Sequence, residues 1–165
     1  LWVSITDKFT FLPLFILIIF FLFKKNGTKG LLVILLFISV LILFTDQFTN
    51  VVKDFTQRLR PCRLDELQGL LRDIDIRCGK YGFFSAHAAN SISVTIFIIN
   101  CVDESVKKFL KPVLILWVMI FSYSRIYLGV HYPLDTIFGL SFGIFSGFLF
   151  KYIYNYFISV KVFSD

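Results

Sequence analysis

The chain has 165 residues, of which 57% are hydrophobic, 19% aromatic and 17% charged, far from the roughly 45–50% apolar and about 25% charged make-up of soluble domains. A mean hydropathy of +0.78 with 22 Phe excludes disorder, collagen, coiled coil and a soluble single-core enzyme, and leaves an all-α, polytopic membrane helix bundle of one domain, residues 1–165. The formal charge of +6 is divided among short loops between apolar runs, which argues against a nucleic-acid partner and makes the basic residues reporters of topology.

No positively charged leader with a small-residue cleavage site precedes the first apolar run, and the chain opens on Leu1-Trp2-Val3 without Met. A sixth helix upstream of Leu1, missing from an N-terminally truncated chain, is therefore expected. A bilayer core about 30 Å thick calls for ~20 apolar residues per helix. Five runs approach that: Phe9 to Phe23, Gly30 to about Val52, about Ala88 to Val102, Phe109 to about Leu128, and Leu134 to Phe157. None alternates with period two, so helices are expected rather than a barrel.

Between the first two runs stand Lys24, Lys25 and Lys29 with no acid, which marks a cytoplasmic loop. Threading onward puts residues 53–84 and 129–134 outside, and the Asp103 to Lys111 turn, Lys151 and Lys161 inside. All six arginines, Arg58, Arg60, Arg63, Arg72, Arg77 and Arg125, then fall on the outer side, where the charge rule expects few cations. A guanidinium fork binds phosphate bidentately, so an oxyanion site is one reading. Salt bridging to Asp65, Glu66, Asp73 and Asp75 is the other.

Three outer segments carry chemistry. In Lys53 through Arg60-Pro61, the two cations are seven residues apart and project from one face if the helix continues to the Pro boundary; snorkelling to the interface is the plainer alternative. Gly82 to Asn90 contains Ser85-Ala86-His87 at the start of the third helix, where backbone N–H groups lack partners and attract anions. Ser124 to Asp135 links the fourth and fifth helices. Pro133 suits the first turn of a helix, and Asp135, four residues after His131, is placed to accept its ring N–H and leave the other nitrogen basic. As a plainer alternative, Asp135 is a helix N-terminal charge and His131 a loop residue.

Lys53-x6-Arg60-Pro61, Ser85-x-His87 and Ser124-Arg125-x5-His131-x3-Asp135 together resemble the three-part signature of the type 2 phosphatidic acid phosphatases. These are membrane lipid phosphatases that share a helical core with vanadium haloperoxidases. The resemblance implies phosphate binding by Lys53, Arg60, Ser85, the backbone around Ala86, and Arg125. It makes His131 the nucleophile forming a phosphohistidine, Asp135 its orienting carboxylate and His87 the acid for the leaving oxygen, with no metal or other cofactor. The family usually has Pro-Ser-Gly-His where this chain has Phe84-Ser85-Ala86-His87. Sites at headgroup depth imply a lipid phosphate substrate in the bilayer: undecaprenyl pyrophosphate, phosphatidylglycerophosphate, phosphatidic acid and lipid A all qualify. The expected location is a bacterial inner membrane, with the site on its periplasmic face.

Rival readings are a phosphotransferase using the same intermediate, a non-enzymatic anion-binding membrane protein, a CDP-alcohol transferase, and a zinc site from Cys62, Cys78, His87 and His131. A transferase needs grouped acids for metal, and that grouping is absent. Helix centres are nearly bare of charge apart from Asp46 and Gln47, to which the sequence assigns no role. Cys62 and Cys78 are the only cysteines on the outer side, Cys101 falling near the inner end, and an oxidising compartment permits a disulfide between them; two free thiols are the alternative.

Overall fold

The structure, a computed structural model, describes residues 10–67 and 78–162; Arg72, Asp73, Asp75 and Arg77 lie outside that range. Four helical segments are present among the described residues: α1 (Leu12–Thr56), α2 (Ala86–Cys101), α3 (Glu104–Tyr127) and α4 (Pro133–Val162), with short 3-10 turns at Pro61–Arg63 and Asp65–Leu67. Three of them, α1, α3 and α4 to Ser159, are long and apolar enough to cross a membrane.

α1 is two rods rather than one. Gly27 alone within it is non-helical, with φ 63° and ψ −174°, a conformation open to glycine because it has no Cβ. An unbroken helix of 45 residues would be about 68 Å long, yet Phe15 and Ile42 line one cavity. The chain therefore doubles back at Gly27. The expected loop from Lys24 to Lys29 shrinks to a single residue, because the lysines and Asn26 continue the helices on either side. At this elbow Lys25 Nζ donates to Val102 O (2.9 Å) and Asn26 Nδ2 to Cys101 O (3.0 Å), so its side chains cap the C-terminal end of α2.

The fourth run likewise starts earlier than its apolar core. α3 begins at Glu104, and the lysines placed in a turn lie on its first turns, where Lys107 pairs with Glu104 at 2.9 Å.

α2 is the central rod, packed along α4 with α1 and α3 on its other sides. Lipid tails are as apolar as a neighbouring helix, so association in a bilayer relies on close packing. Gly139, Gly143 and Gly147 supply it: a Cβ there would stand 2.5 Å from Ser85 O, 2.3 Å from Ala89 O and 2.9 Å from Ser93 O. Away from the site, Phe97, Leu22, Ile34, Leu41, Leu110 and Leu114 form the buried core. Phe48 stacks on Phe142 with centroids 4.5 Å apart and planes 12° off parallel, tying α1 to α4 nearer the site.

Candidate active site

The three chemistry-bearing segments meet at one end of the bundle. Residues 58–60 run antiparallel to residues 80–82: Gly82 N donates to Arg58 O (2.9 Å), Arg60 N to Lys80 O (3.2 Å), and Leu59 bridges Tyr81. Cys62 N donates to Gly129 O (3.0 Å) and Ser85 N to Asp135 O (2.9 Å), which brings the third segment onto the first two. Cys62 and Cys78 are joined by a disulfide with Cα atoms 6.4 Å apart. Neither cysteine is then a thiolate zinc ligand, and among the described residues no group of three or more His, Cys, Asp or Glu is placed to hold a metal.

His131 follows the end of α3. Leu128 caps that helix, and Gly129, with φ 65°, takes the left-handed turn that lets the chain leave it. The His131 backbone N–H donates to Arg125 O (3.3 Å), tying the histidine to the arginine of its own motif. The ring is buried, and Nδ1 lies 3.5 Å from Asp135 Oδ2. Burial holds the imidazole below its ordinary pKa, Arg60 and Lys53 push the same way, and Asp135 opposes them. The free base is thus the resting form at neutral pH.

Asp135 is the third residue of α4, after Pro133 at its start. Its Oδ2 accepts the Tyr132 backbone N–H (2.9 Å), a reciprocal helix cap, and its Oδ1 accepts from Arg58 Nη1 (3.0 Å). The carboxylate is fully buried, whereas the Arg58 side chain is 37% exposed and stacks over the Tyr132 ring at 4.2 Å. The expected pairing of His131 with Asp135 is therefore a long contact within a tighter set. Arg58 belongs to that set although it was not among the motif residues. Its signal is faint: one arginine among six, with a partner 77 positions away.

The anion-binding candidates surround the histidines. His87 lies within electrostatic reach of Arg125, His131, Lys53 and Arg60. Arg60 is anchored through Nε to Tyr81 O (2.9 Å), which leaves its two terminal nitrogens as donors. Arg125 Nε is buried with no hydrogen-bond partner among the described residues, and a buried donor of that kind calls for an acceptor. Lys53 stands on the last turn of α1.

Ser85 is buried and caps α2, its oxygen accepting from Ala88 N (3.4 Å); its hydroxyl proton remains available to a ligand. The N–H groups of Ala86 and His87, first in α2, have no intrahelical acceptor. Ala86 replaces the family's usual glycine without strain: it is helical, and Gln57 is the one non-glycine residue with positive φ among the described residues.

Deeper in the bundle a polar cluster links α1 to α2. Asn90 Nδ2 donates to Asp46 Oδ1 (2.7 Å), and Thr45 Oγ1 hydrogen-bonds Asn90 Oδ1. Asp46, Asn90 and His87 line a largely apolar cavity of about 520 Å³ between α1, α2 and α3.

Residues 31–159 match the model of the PAP2 superfamily. The chain is 35% identical over 153 residues to the lipid A 4'-phosphatase of Bacteroides thetaiotaomicron, covering 91% of this chain and 67% of that protein. It is 33% identical to the lipid A 4'-phosphatase of Porphyromonas gingivalis, over 92% and 64% of the two chains. The chain thus spans about two thirds of the length of these relatives. Its fold is similar, with a TM-score of 0.68, to the crystal structure of a transmembrane PAP2-type phosphatidylglycerolphosphate phosphatase from Bacillus subtilis, at 23% identity over 93% of this chain and 75% of that one.

Proposed function

The chain belongs to the PAP2 superfamily, and on that premise we propose that it is a membrane lipid phosphatase that cleaves a phosphate ester of a lipid through a phosphohistidine, without metal. The observation that carries the reading is a buried His131 facing Asp135, with Lys53 and Arg60 within electrostatic reach of it and Arg125 within reach of the neighbouring His87.

Phosphoryl transfer asks mainly for positioning and for neutralisation of the equatorial oxygens. Arg58 holds the charge of Asp135, so the other three cations are left for the phosphate, joined by the Ala86 and His87 N–H groups. Burial and the cations around it hold His87 down at about 3, so the proton it donates arrives with the substrate, whose phosphate charge offsets those cations and favours imidazolium. With Nδ1 facing Asp135, His131 attacks through Nε2: the N–P bond forms, the P–O bond to the lipid breaks, and the protonated His87 gives its proton to the departing oxygen. His87, now neutral, takes a proton from water as the water oxygen attacks phosphorus. Breaking the N–P bond then releases inorganic phosphate and restores His131.

The relatives named for lipid A support a phosphorylated glycolipid as substrate; the lysines of the Lys24 to Lys29 elbow support a site on the periplasmic side of an inner membrane. The test is phosphate release by detergent-purified protein from a phosphorylated glycolipid, phosphatidic acid, phosphatidylglycerophosphate and undecaprenyl pyrophosphate, each with and without EDTA. His131→Ala should lower turnover by orders of magnitude while the protein still folds. Retention of more than about a tenth of the activity, 1.4 kcal/mol in barrier, would remove the covalent route. Full loss with EDTA would remove the metal-free one.

A further inference from the structure

An acid facing an apolar cavity within a membrane bundle is costly and asks for a function. Asp46 is such an acid. It is half-buried on α1, two turns before Lys53, and its carboxylate lines the cavity that also exposes His87. Asn90 fixes Oδ1, and Thr45 in turn holds the Asn90 carbonyl, so that the amide N–H₂ points at Asp46. Oδ2 has no hydrogen-bond partner among the described residues. A carboxylate serving only to join α1 to α2 would be sealed between them. Asp46 is held by Asn90, which Thr45 holds in turn, and it is only half-buried and lines the cavity.

Its depth defines what it can meet. Asn90 follows His87 by three residues in α2, about 4.5 Å along the axis. A lipid whose leaving oxygen reaches His87 therefore has its next one or two carbons beside Asp46, while Ile42, Val94 and Phe121 line the same cavity with apolar surface for the tail. A carboxylate accepts hydrogen bonds and cannot supply its own proton while ionised.

The geometry points to Asp46, oriented by Asn90, as a specificity determinant that selects lipid phosphates carrying a hydrogen-bond donor, hydroxyl or amide N–H, on the carbon next to the phosphate-bearing one. This deepens the phosphatase reading and rests on it. A site built to pair a substrate donor rejects the analogue that lacks it, because its own polar group is then left unpaired.

The test uses two lipids of equal chain length. Ceramide 1-phosphate carries an amide N–H beside the phosphate-bearing carbon, whereas phosphatidic acid has only ester oxygens there. Wild-type kcat/KM should favour the ceramide by about tenfold or more, the range of a hydrogen bond to a charged acceptor. In Asp46→Asn, which keeps the shape but turns a donor toward the substrate amide, and in Asp46→Leu, that ratio should collapse toward one. An equal ratio in wild type and both variants overturns the assignment while leaving the phosphatase reading intact. Should neither variant fold, the wild-type ratio decides, and a value below about three overturns it. Release of phosphate from no lipid phosphate by wild-type protein overturns the phosphatase reading and this inference with it.

Discussion

Arg58 grips the buried carboxylate of Asp135 at 3.0 Å, closer than the 3.5 Å that separates the same carboxylate from His131. The acid proposed to orient the nucleophile is thus itself oriented from another segment, and its charge is shared with Arg58 as well as with the histidine. Arg58→Ala leaves Asp135 buried with less compensation, which is costly. The expected result is a fall in kcat of about ten- to a hundredfold with a small change in KM. Because the freed carboxylate then favours imidazolium more strongly, the acidic limb of the pH–rate profile should also move to higher pH. Arg58→Lys should recover part of both effects, a point charge replacing a fork. An unmoved pH profile would assign Arg58 to folding alone.

In the proposed mechanism the basicity of His131 sets the working pH range. Burial lowers its pKa in the folded protein below the ordinary value of 6.5. Attack needs the free base, so kcat/KM should rise with pH through a pKa that lies below 6.5. The stability sign is the same: the unfolded chain binds the proton more tightly, so folding is favoured as pH rises and weakened as pH falls from 6.5 toward the lowered value. A pH–rate profile whose acidic limb lies above 6.5 contradicts this.

The glycines facing α2 should differ in what they protect. Gly139→Ala sets a methyl against Ser85 O at 2.5 Å, and Gly147→Ala sets one against Ser93 O at 2.9 Å. Overpacking of this kind costs about 1–3 kcal/mol, so both should lower the thermal midpoint in detergent. Gly139 lies one turn from Asp135 and touches the N-cap of α2, so its variant should lose activity at temperatures where Gly147→Ala remains active. Equal losses would mean that helix register does not govern the site.

Orientation can be read by labelling. With native cysteines replaced, a cysteine at position 24, exposed beside the elbow, should resist an impermeant thiol reagent in intact cells and react once the membrane is opened. Reaction in intact cells would reverse the topology.

The helices and the three motif segments were legible in the sequence because apolar length and helical spacing are local properties. Pro133 announces α4. Lys53 and Arg60, however, do not share a helix face as their spacing suggests: α1 ends at Thr56, Gln57 turns left-handed with φ 47°, and Arg60 is in extended chain. The helix ends were less so: Lys24 to Asn26, and Glu104, Lys107 and Lys108, are polar yet helical, since long cationic side chains reach water from inside a membrane helix. Partnerships across segments were not legible. Arg58 with Asp135 and Asn90 with Asp46 depend on chain folding over 77 and 44 positions, and nothing in either neighbourhood names the partner. Ser85 was legible as a site residue, but its use as a cap required the helix start to be seen.

The cap that the elbow places on α2 bears on how the molecule sits in its membrane. With 16 residues, α2 is about 24 Å long against a hydrocarbon slab of about 30 Å. One of its ends must stop short of water. The ammonium of Lys25 and the amide of Asn26 meet the carbonyls at that end, where the helix dipole is negative, and so draw the polar boundary inward to the helix instead of requiring the helix to reach it. The end of α2 that carries the elbow's cap is thus the one equipped to stop short of water, which leaves the opposite end, with His87 on its first turn, to reach the polar boundary. A single glycine with positive φ, by turning the chain at Gly27, supplies a short helix with the polar end its length denies it.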